Sequence, residues 1–313
     1  MGKRVALITG AGGQIGTVLF KALQDQLGKD NVVASDLRPM EIDGLFEIIN
    51  VTDTARIGEV VDKYGVTEIY HLAALLSSKG EKNIDLTWDI NFTSYYNLLA
   101  LSHKKGIEKV FFPSTIGVFG PTTPKVATPQ HTSFVPSTAY GISKITGELW
   151  SQYYVTRYGM DVRSLRFPGV ISYEVIPSGG TTDYAVEIFF AIKKSGHYDC
   201  YLGKDSRLPM IYMPDVINAT LSLMSADKSK ISIATGYNIM GFSLTPDEVY
   251  QEIKKHIPDA TIAYAPDERQ KIADSWSESI DDQHARNDWG WAPKYSMSDM
   301  TKHMLANIDG SAI

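Results

Sequence analysis

The stretch VALITGAGGQIG, residues 5–16, constrains the fold of this chain more than any other. A β-branched and aliphatic run leads straight into Gly10, Gly13 and Gly16, and an apolar helical pattern follows over 15–27. A strand that enters a helix through glycine turns tightly and leaves the first helical amides uncovered. There the helix dipole favours an anion such as a pyrophosphate. The spacing alone does not settle the matter, because strand-to-helix turns of many kinds use glycine. The rest of the chain decides it.

After the first strand at 4–9, further strands are expected at 31–36, 45–50, 67–73, 109–114 and 162–167. Helical patterns at 53–64, 85–105 and 139–158 separate most of them; only the step from 36 to 45 is too short for a helix. This alternation predicts an α/β fold of the Rossmann type, a doubly wound parallel sheet with helices on both faces. Past about residue 170 prolines and glycines break the rhythm, and helices are expected at 183–194, 214–225, 245–256 and 296–307. Residues 1–170 are therefore expected to form the nucleotide-binding domain, with 208–240 returning to it. Residues 171–313 should form mainly a smaller, mixed α/β cap over the substrate.

The 313 residues are enough for a substantial buried core. A net charge of −6 argues against a nucleic-acid partner, which needs a basic surface. Cys200 is the single cysteine, so no internal disulfide framework exists and a reducing compartment fits. No apolar run has membrane length, and the N-terminus enters a strand with no signal peptide before it. A soluble cytoplasmic protein is expected, acting on a small molecule, with no nucleic acid, membrane or metal involved.

Asp36 ends the second strand, twenty residues after Gly16. A carboxylate there can accept both hydroxyls of an adenosine ribose and would repel a 2′-phosphate. NAD is therefore expected rather than NADP, with Arg38 the one feature pulling the other way.

Tyr140 and Lys144 in STAYGISKITGELW lie one helical turn apart on one face. An ammonium beside a phenol favours the phenolate, so Tyr140 is a candidate base near neutrality. Tyr250 and Lys254 have the same spacing, but in an ordinary amphipathic helix. What distinguishes Tyr140 is Ser114 and Thr115, which end a parallel strand at the edge where such sheets bind ligands.

Together these motifs resemble the extended short-chain dehydrogenase/reductase family over nearly the whole chain. TGAGGQIG (9–16) looks like its cofactor loop, YHLAA (70–74) its fourth strand and YGISK (140–144) its Tyr-x-x-x-Lys. WDINFTSYYNLL (88–99) resembles the helix with the structural asparagine, here Asn91, and WGWAPKYSMSDM (289–300) the C-terminal signature. The resemblance implies NAD contacts from Gly10, Gly13, Gln14, Ile15 and Gly16, and from Asp36, Leu37 and Arg38. It places Asn50 and Val51 beside the adenine, and Leu72, Ala73 and Ala74 along the cofactor with Asn91, Tyr140 and Lys144. Pro168 and Val170 would face the nicotinamide. The family usually has an aspartate where Asn50 stands; the amide oxygen of Asn50 would still accept from the adenine amino group.

Many members act on nucleotide sugars, but SGGTTDYAVEIF (178–189) and RLPMIYMPDVINA (207–219) are similar to the short-chain-type L-threonine 3-dehydrogenases. Their usual third glycine is Ser178 here. This implies that Ser77, Ser114, Thr115, Tyr140, Thr182 and Asp183 bind substrate, Asp183 against an ammonium and Thr182 against a carboxylate. Tyr140, Lys144, Thr115 and Ser114 would be catalytic, with Ser114 and Thr115 orienting the substrate oxygen. Family members commonly pair the helices at 85–105 and 139–158 across a two-fold axis, so a homodimer is expected. The competing functions are a nucleotide-sugar 4-epimerase or dehydratase and a non-catalytic dinucleotide sensor. Arg207 is the cap's main candidate for neutralising a sugar nucleotide's pyrophosphate.

Overall fold

A computed structural model describes residues 2–174 and 180–308. The strands are β1 (Ala6–Thr9), β2 (Val32–Asp36), β3 (Leu45–Ile48), β4 (Glu68–His71), β5 (Lys109–Thr115), β6 (Val162–Phe167), β7 (Gly169–Ile171), β8 (His197–Cys200), β9 (Leu208–Tyr212), β10 (Gly236–Asn238), β11 (Phe242–Leu244) and β12 (Thr261–Tyr264). The helices are α1 (Gln14–Leu27), α2 (Thr54–Tyr64), α3 (Ser77–Gly80), α4 (Ile84–Trp88), α5 (Ser94–Lys105), α6 (Ala139–Tyr158), α7 (Tyr184–Ser195), α8 (Met213–Ser225), α9 (Pro246–Lys254), α10 (Arg269–Asp274), α11 (Gln283–Trp289) and α12 (Met297–Asn307).

Seven strands form the central sheet in the order β10-β6-β5-β4-β1-β2-β3. All six pairings are parallel. β1 to β4 is the point where the strand order reverses, so the carboxyl ends of β1, β4 and β5 open onto one crevice. The central strands are buried on both faces, β1 completely, as a sheet sandwiched between helices requires, while the edge strand β3 is partly exposed. One apolar cluster joins α1 and α8 to one face, with Leu19, Leu23, Val216 and Leu223. A second joins α2 and α5 to the other, with Ile57, Val61, Leu98 and Leu99. β10 extends the sheet beside β6, so part of the 208–240 segment is built into it.

The cap has its own core around Phe189, Ile192, Val249 and Met300. It contains a three-stranded sheet, β11-β9-β7, and a parallel pair, β12-β8. Its strands are only three to five residues long, too short to show an alternating pattern in the sequence. Among the described residues no helix is long and apolar enough to cross a membrane.

The expected continuous helix at 85–105 is interrupted. Asp89–Thr93 forms a π-helical turn between α4 and α5, with buried Asn91 inside it. Such turns insert one residue and rotate a side chain off the regular helical face. Here the rotated side chain is Asn91, which clamps the loop after β4. Its Oδ1 accepts from the Leu75 amide at 2.8 Å, and its Nδ2 donates to the Leu75 carbonyl at 2.9 Å.

Candidate active site

The glycine loop is shaped as a cradle. Gly10 has φ of 73°, in the left-handed region, and a Cβ there would stand 2.7 Å from the Ala73 amide nitrogen. A Cβ on Gly16 would stand 2.4 Å from the Gly10 carbonyl oxygen. Both positions must therefore be bare for α1 to approach β1 and β4 this closely. Asp36 leaves β2 beside this loop, and its Oδ2 accepts from the Gly12 amide at 3.0 Å. That bond aims the carboxylate along the crevice, where a ribose diol would lie. Leu37 and Arg38 are exposed next to it. Val51 is buried at the end of the same edge, whereas Asn50 is exposed and its amide oxygen accepts from the Thr52 amide and hydroxyl, at 3.1 and 2.9 Å. The adenine amino group expected to bond that oxygen would therefore have to share it.

Nearer the centre, the Gln14 Nε2 is buried and has no hydrogen-bond partner among the described residues. A buried amide donor left open beside a glycine cradle suits an anionic ligand. The cradle, Asp36 and Gln14 together fit the pyrophosphate and ribose of NAD.

Beyond Gln14 the crevice deepens into a cavity of about 160 Å³. Gln14, Ile15, Leu72 and Ala74 line its cofactor side, and Pro168 and Val170 the strand opposite. Ser114, Thr115, Tyr140 and Lys144 form its floor; Ser77, Thr182 and Asp183 close the cap side. One cavity thus collects the residues expected to be catalytic and those expected to hold substrate. Asp36, Leu37, Arg38, Asn50 and Val51 lie outside it along the β2–β3 edge, Ala73 backs the glycine cradle, and Asn91 acts through Leu75. Ser178 and Gly179 fall outside the described residues.

Tyr140 and Lys144 are delivered by the first turns of α6, which starts at Thr138, whose hydroxyl accepts from the Gly141 amide at 3.0 Å. The Lys144 Nζ lies 5.8 Å from the Tyr140 ring centre and 4.6 Å from that of Phe112. It donates to the Pro113 carbonyl at 2.8 Å. Burial dominates the electrostatics. It pushes the Tyr140 phenol up to about 12, against a hydrogen bond from Thr115 that pulls it down. Burial also draws Lys144 down to about 7. The expectation that the lysine would lower the phenol is therefore corrected for the protein alone: both groups are driven toward their neutral forms. Behind them buried His71 is drawn down to about 3, first by burial and then by the nearby Lys144. Its ring bridges Thr9 and Ser94 at 2.9 and 3.3 Å.

The two hydroxyls at the end of β5 differ. Ser114 donates to Glu148, which is wholly buried and paired with Arg166 at 2.7 Å. With that proton committed, Ser114 offers the cavity only lone pairs, so the orienting donor expected of the pair falls to Thr115. The Thr115 hydroxyl accepts from the Gly117 amide at 3.1 Å, which leaves its proton for Tyr140 or a ligand oxygen.

On the cap side, the Asp183 Oδ2 accepts from the Gly180 amide at 2.6 Å, folding the 180–183 turn over the cavity. Thr181 and Trp276 add polar groups to the wall that the sequence did not mark. Thr181 is buried, and its hydroxyl lies 3.4 Å from that of Ser77. The Thr-Thr pair in the sequence carried that signal but did not say which hydroxyl turns inward. Trp276 is buried with its indole nitrogen unpartnered. It comes from the aperiodic stretch after α10, where no sequence pattern marked it.

Fold and site define a dinucleotide-dependent enzyme with a Tyr-Lys pair at the carboxyl edge of a doubly wound sheet. The chain belongs to the NAD dependent epimerase/dehydratase family, whose model matches residues 6–239, and NAD is its cofactor. It is 46% identical over 309 residues to an uncharacterized epimerase/dehydratase of Staphylococcus aureus (strain MRSA252), covering 97% of this chain and 96% of that protein. It is similar to the holo form of a GalE-like L-threonine dehydrogenase from Cupriavidus necator, at 47% identity and a TM-score of 0.95, covering 97% and 99% of the two chains. A monomeric L-threonine 3-dehydrogenase from a metagenome database matches at 44% identity and a TM-score of 0.94, over 97% and 98%.

Proposed function

We propose that this protein is an NAD-dependent L-threonine 3-dehydrogenase, oxidising the β-hydroxyl of L-threonine to give 2-amino-3-oxobutanoate. One observation carries the reading: the Tyr-Lys floor shares a cavity of about 160 Å³ with Ser77, Thr181, Thr182 and Asp183. A small zwitterion suits this polar wall. The turn's hydroxyls and amides suit a carboxylate, and Asp183 suits an ammonium.

Oxidation removes a proton from the hydroxyl oxygen and a hydride from the β-carbon. NAD held along the glycine cradle would supply the hydride acceptor and a positive ring charge that favours the phenolate. Tyr140 takes the hydroxyl proton, and Lys144, still hydrogen-bonded to Pro113, stabilises the phenolate that accepts it. Thr115 orients the reacting oxygen by donating to it. The similarity to threonine dehydrogenases over nearly the whole chain supports the same reading.

A nucleotide-sugar substrate is disfavoured by Arg207. Its guanidinium is held by Glu248 and by the Ser243 carbonyl at 3.1 Å, and it lines a separate pocket. Calorimetry separates the readings. Adding L-threonine to the NADH-bound protein should give saturable binding, and UDP none. Saturable UDP binding without threonine binding would favour the epimerase.

The same proposal includes assembly as a homodimer. Ile84, Leu86 and Trp88 on α4, and Ile142, Leu149 and Tyr153 on α6, are exposed apolar residues on neighbouring helices. Helices already packed on a sheet should be polar outside.

A further inference from the structure

Gly169 lies between Pro168 and Val170, both of which line the cavity, and it pairs with Met210 where β7 runs beside β9. It is not among the glycines with left-handed φ, so its backbone would accept any residue. The reason for glycine is steric. A Cβ at 169 would stand 2.7 Å from the Thr182 Cβ, 2.9 Å from its Cγ2 and 2.2 Å from the Met210 Sδ. The sulfur ends a flexible side chain and can swing aside. The Thr182 Cβ cannot, because it is fixed to backbone two residues before the start of α7, and the Thr182 carbonyl already accepts from the Ala185 amide at 3.2 Å.

We propose that Gly169 is a positioning residue: its bare α-carbon lets Thr182 seat directly against β7, and that seat sets where the substrate's carboxylate is held relative to the nicotinamide strand. The inference rests on the reading that Thr182 holds that carboxylate. A methyl at 169 moves the turn outward by about 1 Å, from near 2.7 Å to ordinary van der Waals separation. Displacements of that size in a reacting complex lower rates by on the order of a hundredfold. The affected contact is to the substrate, since the atoms nearest a Cβ at 169 belong to Thr182 and Met210, and the cradle for the pyrophosphate lies on the other side of the cavity.

The test is a set of variants assayed for threonine KM, kcat, NAD affinity and melting temperature. Gly169→Ala should raise the threonine KM or lower kcat/KM by on the order of ten- to a hundredfold while NAD affinity holds. In a Thr182→Ala background the same change should have little further effect on KM, because the contact it displaces is gone. Gly169→Ala with Met210→Ala frees the Met210 side only and should stay impaired; it also serves if the single variant folds poorly. A double variant that regains the unmodified KM would overturn the proposal, locating the crowding at Met210. Equal loss of NAD and threonine binding would also overturn it, as a general folding defect. Unchanged KM and kcat/KM in Gly169→Ala with a raised KM in Thr182→Ala defeat the proposal and leave the functional reading intact. Unchanged KM in both variants removes the reading and the proposal together.

Discussion

Tyr140 and Tyr250 each have a lysine one turn later, at nearly the same separation: 5.8 Å from Nζ to ring centre in one pair and 5.6 Å in the other. Local geometry therefore does not make a catalytic pair; placement does. Tyr250 gives its hydroxyl to the Ala260 carbonyl at 3.0 Å, inside the cap. Tyr140→Phe should abolish turnover while NAD binding persists. Tyr250→Phe should cost about 1 kcal/mol of stability for one buried hydrogen bond and leave turnover intact. Equal activities in the two variants would contradict the assignment. Lys144 makes a further point. Its folded-state value of about 7 lies below the ordinary lysine value of 10.5, so the folded protein holds this proton less tightly than the unfolded chain. Stability is then lowest below pH 7 and recovers as pH rises through the window between those values, by on the order of a few kcal/mol. Lys144→Met should be inactive yet melt higher than the unmodified protein at pH 6, with the advantage shrinking toward pH 10. A variant that melts lower at pH 6 would show that the bond to Pro113 outweighs the buried charge.

At the scale of elements, what was legible in the sequence follows from periodicity. β1 to β6 were visible because buried parallel strands read as apolar runs between helices of regular spacing. The glycine cradle was visible with them, since Gly10 and Gly16 answer to steric demands that few other residues meet, and Asp36 ends β2 beside it. The π turn at Asp89–Thr93 was not legible, because one inserted residue hardly disturbs an apolar pattern. Nor was the cap wall: Thr181 and Trp276 reach the cavity by tertiary folding of short, aperiodic segments. Whether Lys144 could lower the phenol was not readable either, because it depends on burial. The start of α7 gives the next prediction. Asp183 caps the helix position without a side-chain cap bond and turns its carboxylate to Gly180 instead. Thr182→Ala and Asp183→Asn should therefore each raise the threonine KM strongly, with melting temperature lowered by no more than the loss of about 1 kcal/mol implies. Unchanged KM values with lower melting temperatures would return this turn to a purely structural role.

The whole molecule joins a parallel sheet that holds a dinucleotide to a cap that narrows the space above it. The buried Glu148–Arg166 pair ties these parts together. Arg166 also donates to the Asn238 side chain at 3.0 Å, and Asn238 to the Thr128 carbonyl at 3.1 Å. The Thr128 hydroxyl donates to Ser277 at 2.6 Å, next to Trp276. The exposed apolar face on α4 and α6 lies away from this junction, and light scattering at micromolar concentration should return the mass of a dimer. A monomer mass would leave that face unpartnered. The central claim is tested most directly by following NADH absorbance when purified protein and NAD are mixed with L-threonine. Steady NADH formation is expected with the unmodified protein and none with Tyr140→Phe. No NADH from threonine by a folded protein that binds NAD would contradict it.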